Sequence, residues 1–530
     1  MIKNKIKSVS FLLPVFLVAT FPILSFYSNN ISGLSLVFLE KPLVFFVAIS
    51  VLLVLLLYRI CRNKEKSALV ITIIVFVFFS YGHLSQYLNN KLFIPLPGGV
   101  VLGPDKVLLP IVFLLVGFFV YKTLRTKRKL SQLIVFLNIV LFLLFLNSVV
   151  IISMNEVRKN KGGGVFYDVE SRRQGDFAET PDVYHIILDG YARNDILKDL
   201  YDYDNSEFIT SLEKIGFFVA KKARANYLHT YLSLPSTFNM TYLDFLPEKY
   251  GRDPVDESMA TKMMFNNLVT KKFKSFDYKT INFVSDWEGT NENYLADVVF
   301  DEERTFKTLG VKILASEANM VFWQTTLLSP LIQEVWEEAL RRKTLSVFEK
   351  MPDVAYLESK KYVLAHIMAP HPPYVFSEDG GTVDEAILTN ADEGIERRHY
   401  YLNQLKFITK QTVVMLKKLM KNSKKPPIII LQSDHGPAST LGKRDDWKSN
   451  YSQEAVKERT SILYAIFLPD GNYKEFSEAM TPINTYRILF NRYFGEDNDL
   501  LPDKSYYTSY DEIYGFYETI DMLNQLDSLD

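Results

Sequence analysis

Cysteine is almost absent from this chain: Cys61 is the single one in 530 residues. One cysteine rules out an intramolecular disulfide framework, and everything beyond residue 61 lacks a cysteine nucleophile. Charge of one sign is lacking too, because 60 basic and 61 acidic residues leave a formal net charge of −1. With no strongly basic domain, nucleic acid is not an expected partner. Histidine is scarce, at seven residues, so a site built on several imidazole ligands has few candidates. No internal repeat or low-complexity tract interrupts the sequence.

Long apolar runs are abundant, and they are concentrated at one end. Five fill the first part of the chain, at about 8–28, 42–58, 67–82, 107–121 and 130–153. The first and last are long enough to span a bilayer, and the middle three span with their flanking residues. Lys3, Lys5 and Lys7 give the first run the basic start of a signal peptide. It lacks a small-residue cleavage site and more apolar runs follow, so a retained anchor is the expectation.

Basic residues cluster before the first run, between the second and third (Arg59, Arg62, Lys64, Lys66) and between the fourth and fifth (Lys122, Arg125, Lys127, Arg128, Lys129). The alternate loops carry only Lys41, Lys91 and Lys106. By the positive-inside rule the basic loops face the cytoplasm. Five spans then place the rest of the chain outside, although Arg158, Lys159 and Lys161 follow the last run on that side. The expected organisation is a transmembrane region over 1–155, a linker over 156–181 containing Gly162-Gly163-Gly164, a catalytic domain over 182–470, and an acidic, Tyr-rich remainder of the same domain over 471–530. That last segment could pack across a sheet edge or cover a site.

The outer part reads as α/β. Buried-strand runs recur at 183–188, 279–284, 361–368, 427–431 and 461–468. Helical patterns separate them, clearest at about 396–421 with Tyr401, Leu405, Ile408, Val413, Leu416 and Met420 near one face. Such alternation predicts a mostly parallel sheet covered on both sides.

In sheets of that kind, ligands gather at the carboxyl ends of strands. Asp189 ends the first run; His366 and His371 end or follow the third; Asp434 and His435, within Ser433-Asp434-His435-Gly436, follow the fourth. Two carboxylates and an imidazole are a donor set for Zn²⁺, Mn²⁺ or a similar ion. An Asp after a strand is also a common helix cap or turn residue, and Asp434-His435 alone also fits a surface turn. His185 reads as core packing, His399 as surface and His83 as membrane-proximal. The hydroxyl-rich stretch Asn226-Tyr-Leu-His-Thr230-Tyr-Leu-Ser233-Leu-Pro-Ser236-Thr237 is by itself a loop and helix start. Arg193, Trp287, Lys443, Arg444 and Arg459 are candidate anion contacts or ordinary surface and packing residues.

Taken in order, Leu188-Asp189, Asn226 to Thr230, His366 to Tyr374, and Ser433 to Gly436 resemble the alkaline phosphatase superfamily, in its sulfatase-like branch, over about residues 181–470. Five spans before an outer domain resemble, more narrowly, the lipoteichoic acid synthases and phosphoethanolamine transferases of bacterial envelopes. The resemblance implies an alkaline-phosphatase-like α/β/α domain. It also implies one divalent metal, Zn or Mn, held by Asp189, Thr230, Asp434 and His435. Thr230 would be the nucleophile, with His371 and His366 at the phosphate or the leaving oxygen. The implied enzyme is a multi-pass protein of a bacterial-type inner or plasma membrane. It would be a phosphoryl-group transferase acting on phospholipid or envelope glycan, with its catalytic domain on the outer face.

The alternatives are a sulfatase-like hydrolase of phosphate or sulfate esters, and a non-catalytic glycan- or lipid-binding domain. Gly190 stands where many sulfatases have a second Asp, and Asp189 where the transferases often have Glu. The nearest match to a formylglycine motif, Ser233-Leu-Pro235-Ser-Thr237, ends in Thr where Arg is required. Ser233 remains an alternative nucleophile. Neither the substrates nor the oligomeric state can be read from the residues.

Overall fold

The computed structural model describes residues 11–30, 36–89, 94–95, 101–102, 104–161, 180–252, 258–291, 293, 295–301, 317–383, 394–441, 452–509 and 512–527. Gly162-Gly163-Gly164, Lys443 and Arg444 lie outside them. The chain divides into two units, one of residues 1–163 and 317–336, the other of residues 164–316 and 337–530.

Five helices make up most of the first unit: α1 Leu13–Asn29, α2 Val37–Cys61, α3 Lys64–Asn89, α4 Pro104–Arg125 and α5 Ser131–Lys161. Four of them, α2 to α5, are long and apolar enough to cross a membrane. The described part of α1 is shorter, at 17 residues, although its run had been expected to span. The three middle runs extend into helices of 25, 26 and 22 residues because their flanking residues continue the helical pattern. α1 packs against α2, α3 and α5, and its buried Val15, Val18, Ile23 and Tyr27 join one apolar cluster with Phe46, Phe79 and Leu141. Phe113, Leu114, Phe118 on α4 and Phe136, Leu143 on α5 are exposed. Contiguous apolar surface of that kind suits lipid and not water. Where α4 begins, Asp105 accepts hydrogen bonds from Tyr81 (2.5 Å) and Ser85 (2.6 Å) of α3.

The second unit is built on a seven-stranded sheet. Its strands are β1 Val183–Leu188, β2 Phe218–Val219, β3 Lys279–Phe283, β4 Val298–Phe300, β5 Lys361–Ile367, β6 Ile428–Gln432 and β7 Tyr464–Phe467. They lie in the order β2-β7-β6-β1-β5-β3-β4. Of the helices after residue 163, α6 Asn194–Tyr201, α7 Ser206–Ile215, α8 Thr230–Asn239, α9 Leu268–Ser275, α12 Arg398–Asn422, α13 Gln453–Thr460 and α14 Thr485–Phe494 lie in the second unit, while α10 Glu317–Gln324 and the start of α11 Ser329–Val354 belong to the first.

β1, β5 and β6 are buried along their whole length, which is why they read as unbroken apolar runs. β1 pairs in parallel with β5 (Leu188 opposite Ile367) and with β6 (Ile187 opposite Gln432). That register brings three carboxyl ends side by side, with residues 189, 368–371 and 433–435 just beyond them.

The sheet is mixed, not uniformly parallel: β7 runs antiparallel to β6, and β2 antiparallel to β7. The cause lies in α13. Gly436 N–H, just past the carboxyl end of β6, donates to Arg459 O, and Arg193 N–H, past β1, donates to Ser461 O. The chain therefore leaves α13 at the carboxyl end of its neighbours and must run back. On α12 the buried face comprises Tyr401, Leu405, Ile408, Thr412, Met415, Leu416 and Leu419. Val413 and Met420, expected there, are only half-buried.

Phe238 of α8, Phe273 of α9, and Tyr486 and Phe490 of α14 cover the sheet with Tyr362, Ile428 and Ile430 in one core cluster. His185 sits in that core, its Nδ1 2.7 Å from Tyr486 OH and its ring stacked on Phe238. The C-terminal segment runs along 225–227: Tyr506 N–H donates to Asn226 O, Ser505 Oγ to Ala225 O, and Tyr506 stacks on Tyr227. It thereby braces the stretch leading to Thr230.

Candidate metal centre

Thr230 is the first residue of α8, with His229 in extended conformation before it. Its hydroxyl sits at the positive end of a ten-residue helix, where developing negative charge is favoured. Oγ1 donates to Asp434 Oδ2 at 2.7 Å and lies 3.1 Å from His435 Nε2. His435 Nε2 is 3.3 Å from Asp434 Oδ2 and 3.6 Å from Asp189 Oδ1. The fold thus brings Asp189, Thr230, Asp434 and His435 around one point.

Asp189 and Asp434 are almost wholly buried, yet neither Asp189 oxygen has a hydrogen-bond partner. A buried carboxylate with both oxygens unbonded is costly unless a cation compensates it. That donor set, two carboxylates, an imidazole nitrogen and a hydroxyl, fits one divalent ion.

His366 and His371 flank the cluster. Asp189, His371 and His435 form one group of potential ligand atoms within 4.8 Å of one another, and Asp189, His366 and Asp434 another. His366 Nε2 lies 3.2 Å from Asp189 Oδ2, without the alignment of a hydrogen bond. Its Nδ1 is 2.9 Å from Thr290 Oγ1, which in turn contacts Ser285 Oγ at 2.6 Å. His371 Nδ1–H donates to Pro372 O at 2.7 Å, and its backbone N–H to Asp189 O. Thr230 and His371 are the partly exposed members, so the cluster opens to solvent on their side.

Two carboxylates this close share their charge unequally. Burial raises the Asp189 carboxyl, but His371 and His366 outweigh it and hold its pKa below the usual range. Burial, and then the charge on Asp189, push Asp434 up to about 6. Burial and the nearby Arg459 hold His435 well below the ordinary imidazole value. His435 is therefore neutral, as a metal ligand must be. Its tautomer follows from its neighbours: Nδ1–H donates to Gly436 O (3.0 Å), while Arg459 Nη2, a donor only, meets Nε2 at 3.1 Å.

The second carboxyl-end turn is held by α13. Arg459 Nε donates to Leu228 O (2.9 Å) and Nη1 to Gly436 O (2.7 Å), tying the Thr230 stretch to the Asp434-His435 turn. Glu458, fully buried, accepts from Tyr201 OH (2.7 Å), Ser439 Oγ (2.5 Å) and Thr440 N–H (2.8 Å). Arg459 is thus a cross-link between site segments, and among the anion candidates Arg193 is buried against Asp195 (2.7 Å). Trp287 packs edge-on to His366. Thr290 and Glu458 escaped the sequence reading. Glu458 stands in the polar stretch Gln453–Thr460, which carries no sign of burial.

Two glycines are needed at the site. Gly190 has φ +70°, a left-handed conformation that glycine adopts freely and a side chain there would strain. A Cβ on Gly436 would lie 2.1 Å from Glu458 O. Gly436→Ala is therefore expected to cost about 1–3 kcal/mol of stability in denaturant unfolding, because the turn must move off α13. Metal affinity should fall with it, since His435 is the preceding residue. Unchanged stability would contradict this packing.

Ser233 does not reach the centre of the cluster. It is fully buried on α8, and its hydroxyl donates to Asp434 O at 2.7 Å. Likewise Ser433 Oγ accepts from Tyr191 N–H and donates to His435 O. His399 is exposed.

No protein-family model matches the chain, and no curated protein matches it. Solved structures do show similarity. The lipooligosaccharide phosphoethanolamine transferase A (EptA) from Neisseria meningitidis, an integral membrane protein, is 13% identical. The alignment covers 97% of this chain and 95% of that one, with a TM-score of 0.38. The C-terminal periplasmic domain of EcEptC from Escherichia coli, in complex with Zn, is 12% identical, covering 60% of this chain and 84% of that one (TM-score 0.37). The phosphonate monoester hydrolase of Agrobacterium radiobacter is 11% identical, covering 62% and 80% (TM-score 0.37).

Proposed function

We propose that the chain is a membrane-anchored, metal-dependent phosphoryl-group transferase that uses Thr230 as its nucleophile on a phospholipid or glycan of the cell envelope. The observation that carries this reading is the Thr230 hydroxyl. It lies at a helix N-terminus, hydrogen-bonded to Asp434 and within reach of His435, beside the orphaned carboxylate of Asp189.

Asp189, Thr230, Asp434 and His435 would hold one Zn or Mn ion, which when bound lowers the pKa of a hydroxyl and offsets charge on a phosphoryl group. Asp434 Oδ2, at 2.7 Å, is placed to take the Thr230 proton. The Thr230 oxygen forms a bond to phosphorus while the bond from phosphorus to the donor's alcohol oxygen breaks. His371, partly exposed beside the cluster and in its imidazolium form, would donate the Nε2 proton to that leaving oxygen while Nδ1–H stays on Pro372 O, and His366 would orient Asp189. An acceptor alcohol then attacks the phosphothreonine in reverse, returning Thr230.

A membrane anchor keeps such a site at high effective concentration of lipid head groups. The basic loops following α2 and α4 favour an outer-side placement of the catalytic domain in a bacterial-type inner or plasma membrane.

The test is mass spectrometry of the purified full-length protein after incubation with phospholipid vesicles. A covalent adduct on Thr230 that passes to a sugar acceptor faster than to water is the expected result. An adduct that passes only to water would assign a hydrolase instead. If metal-loaded protein acquires no adduct on any residue, the covalent route is wrong.

A further inference from the structure

Residues 317–336 belong by contact to the membrane unit, although the chain on both sides of them belongs to the outer one. We propose that this segment is a second membrane attachment of the outer domain: an aromatic wedge seated among α1, α2 and α3.

Three observations point there. First, Phe322 is buried among four phenylalanines of three helices: Phe26 (ring centroids 5.4 Å apart), Phe38 (6.0 Å), Phe46 (6.2 Å) and Phe79 (6.1 Å). Trp323 stands beside it, 5.8 Å from Phe46. Second, the contact is backbone to backbone. Gly82 N–H of α3 donates to Thr325 O at 3.0 Å, and Leu327 N–H donates to Phe78 O at 2.7 Å. This approach exists only because residue 82 has no side chain: a Cβ there would lie 1.9 Å from Gln324 O and 2.5 Å from the Thr325 carbonyl carbon. Third, the segment suits an apolar seat. The hydroxyls of Thr325 and Thr326 are each satisfied within the segment, donating at 2.7 Å to Phe322 O and Trp323 O.

The position along the helices is consistent. Phe38 and Phe46 lie in the first half of α2, and Phe78, Phe79 and Gly82 toward the end of α3. The basic residues Arg59, Arg62, Lys64 and Lys66 mark the opposite ends. The wedge therefore enters from the side away from the basic loop, which is where the chain after α5 is expected. α11 starts inside the wedge and continues to Val354, so the outer chain is attached both after α5 and here.

The experiment places a protease site at Gly162–Gly164 of the full-length protein in membranes and cuts it. With the covalent link gone, the outer fragment of the unmodified sequence is expected to sediment with the membranes through a high-salt wash. Gly82→Val is expected to raise the released fraction by about tenfold, the scale of losing one buried aromatic contact. Phe322→Ser tests the same seat from the other partner, should the Gly82 variant fail to accumulate. Gly117→Val is the matched control, because a Cβ on that α4 glycine meets nothing within 4 Å. Release of the unmodified fragment on cutting, or full retention in both Gly82→Val and Phe322→Ser, would overturn the proposal. So would release by salt alone, which would mean an electrostatic contact.

Discussion

Replacing Asp434 by Asn is expected to abolish stoichiometric divalent-metal binding and, in the same protein, to raise the stability of the metal-free form at neutral pH. Asp434 is fully buried, and burial together with the charge on Asp189 lifts its pKa from 3.8 to about 6. The sign follows from linkage. Below about pH 3 the carboxyl is neutral in both folded and unfolded chains and has no effect. As pH rises through about 6, the folded protein must ionise a group that the unfolded chain ionised earlier, and stability is lost. A gap of that size is worth about 3 kcal/mol at pH 7. Asn keeps an acceptor for Thr230 or Gly190 but not for both, which returns about 1 kcal/mol. A net gain of about 2 kcal/mol at pH 7, fading toward pH 4, is the expectation for chelator-treated protein in urea titrations. Metal content by elemental analysis is the second readout. A variant that retains metal, or is no more stable at pH 7 than at pH 4 relative to the parent, would remove Asp434 from the shell. The physical content is that Asp434 and Asp189 are mutually repulsive without a cation.

Thr230→Ala is expected to reduce turnover by about a thousandfold or more, the scale of losing a nucleophile, while leaving unfolding free energy within about 1 kcal/mol. The hydroxyl's bond to Asp434 is partly exposed and replaceable by water, so little stability depends on it. Thr230→Ser keeps an oxygen at the helix N-terminus and should retain turnover within about tenfold. Ser233→Ala separates the two hydroxyls. Its Oγ serves the buried carbonyl of Asp434, so its loss should cost about 1 kcal/mol of stability and only modest activity. Steady-state kinetics and denaturant unfolding on the three variants decide the matter. Full turnover in Thr230→Ala would transfer the role to another group.

The strands that carry the cluster could be read from the sequence because β1, β5 and β6 are buried on both faces. Such strands appear as apolar runs ending abruptly in a polar residue, and Asp189, His366 and Asp434-His435 all stand at those ends. Strand direction was not legible in the same way. The run at 461–468 looks the same whether parallel or antiparallel, and what turns β7 around is the hydrogen bonding of Gly436 and Arg193 to the end of α13. Long-range polar contacts were equally hidden. Glu458 and Arg459 lie in a stretch rich in charge, and only the fold reveals that one closes the loop after Gly436 while the other bridges to Leu228. Phe322 and Trp323 occupy a short mixed stretch, and nothing in their periodicity says that their neighbours are Phe26 and Phe46.

The central cluster joins residues that are remote in the chain: Gly190 and Asp434 touch across 244 positions, and Thr230 and Asp434 across 204. For a polypeptide delivered in order from its N-terminus, this imposes a timetable. Asp189 and Thr230 emerge early, but neither can meet an imidazole ligand from the later turn until residue 435 has followed and β6 has paired beside β1. Closing a loop of that length precedes any gain from the contact it allows. A half-made chain would therefore lack the full donor set, and the proposed ion would be acquired only after the chain had been made through residue 435 and β6 had paired beside β1.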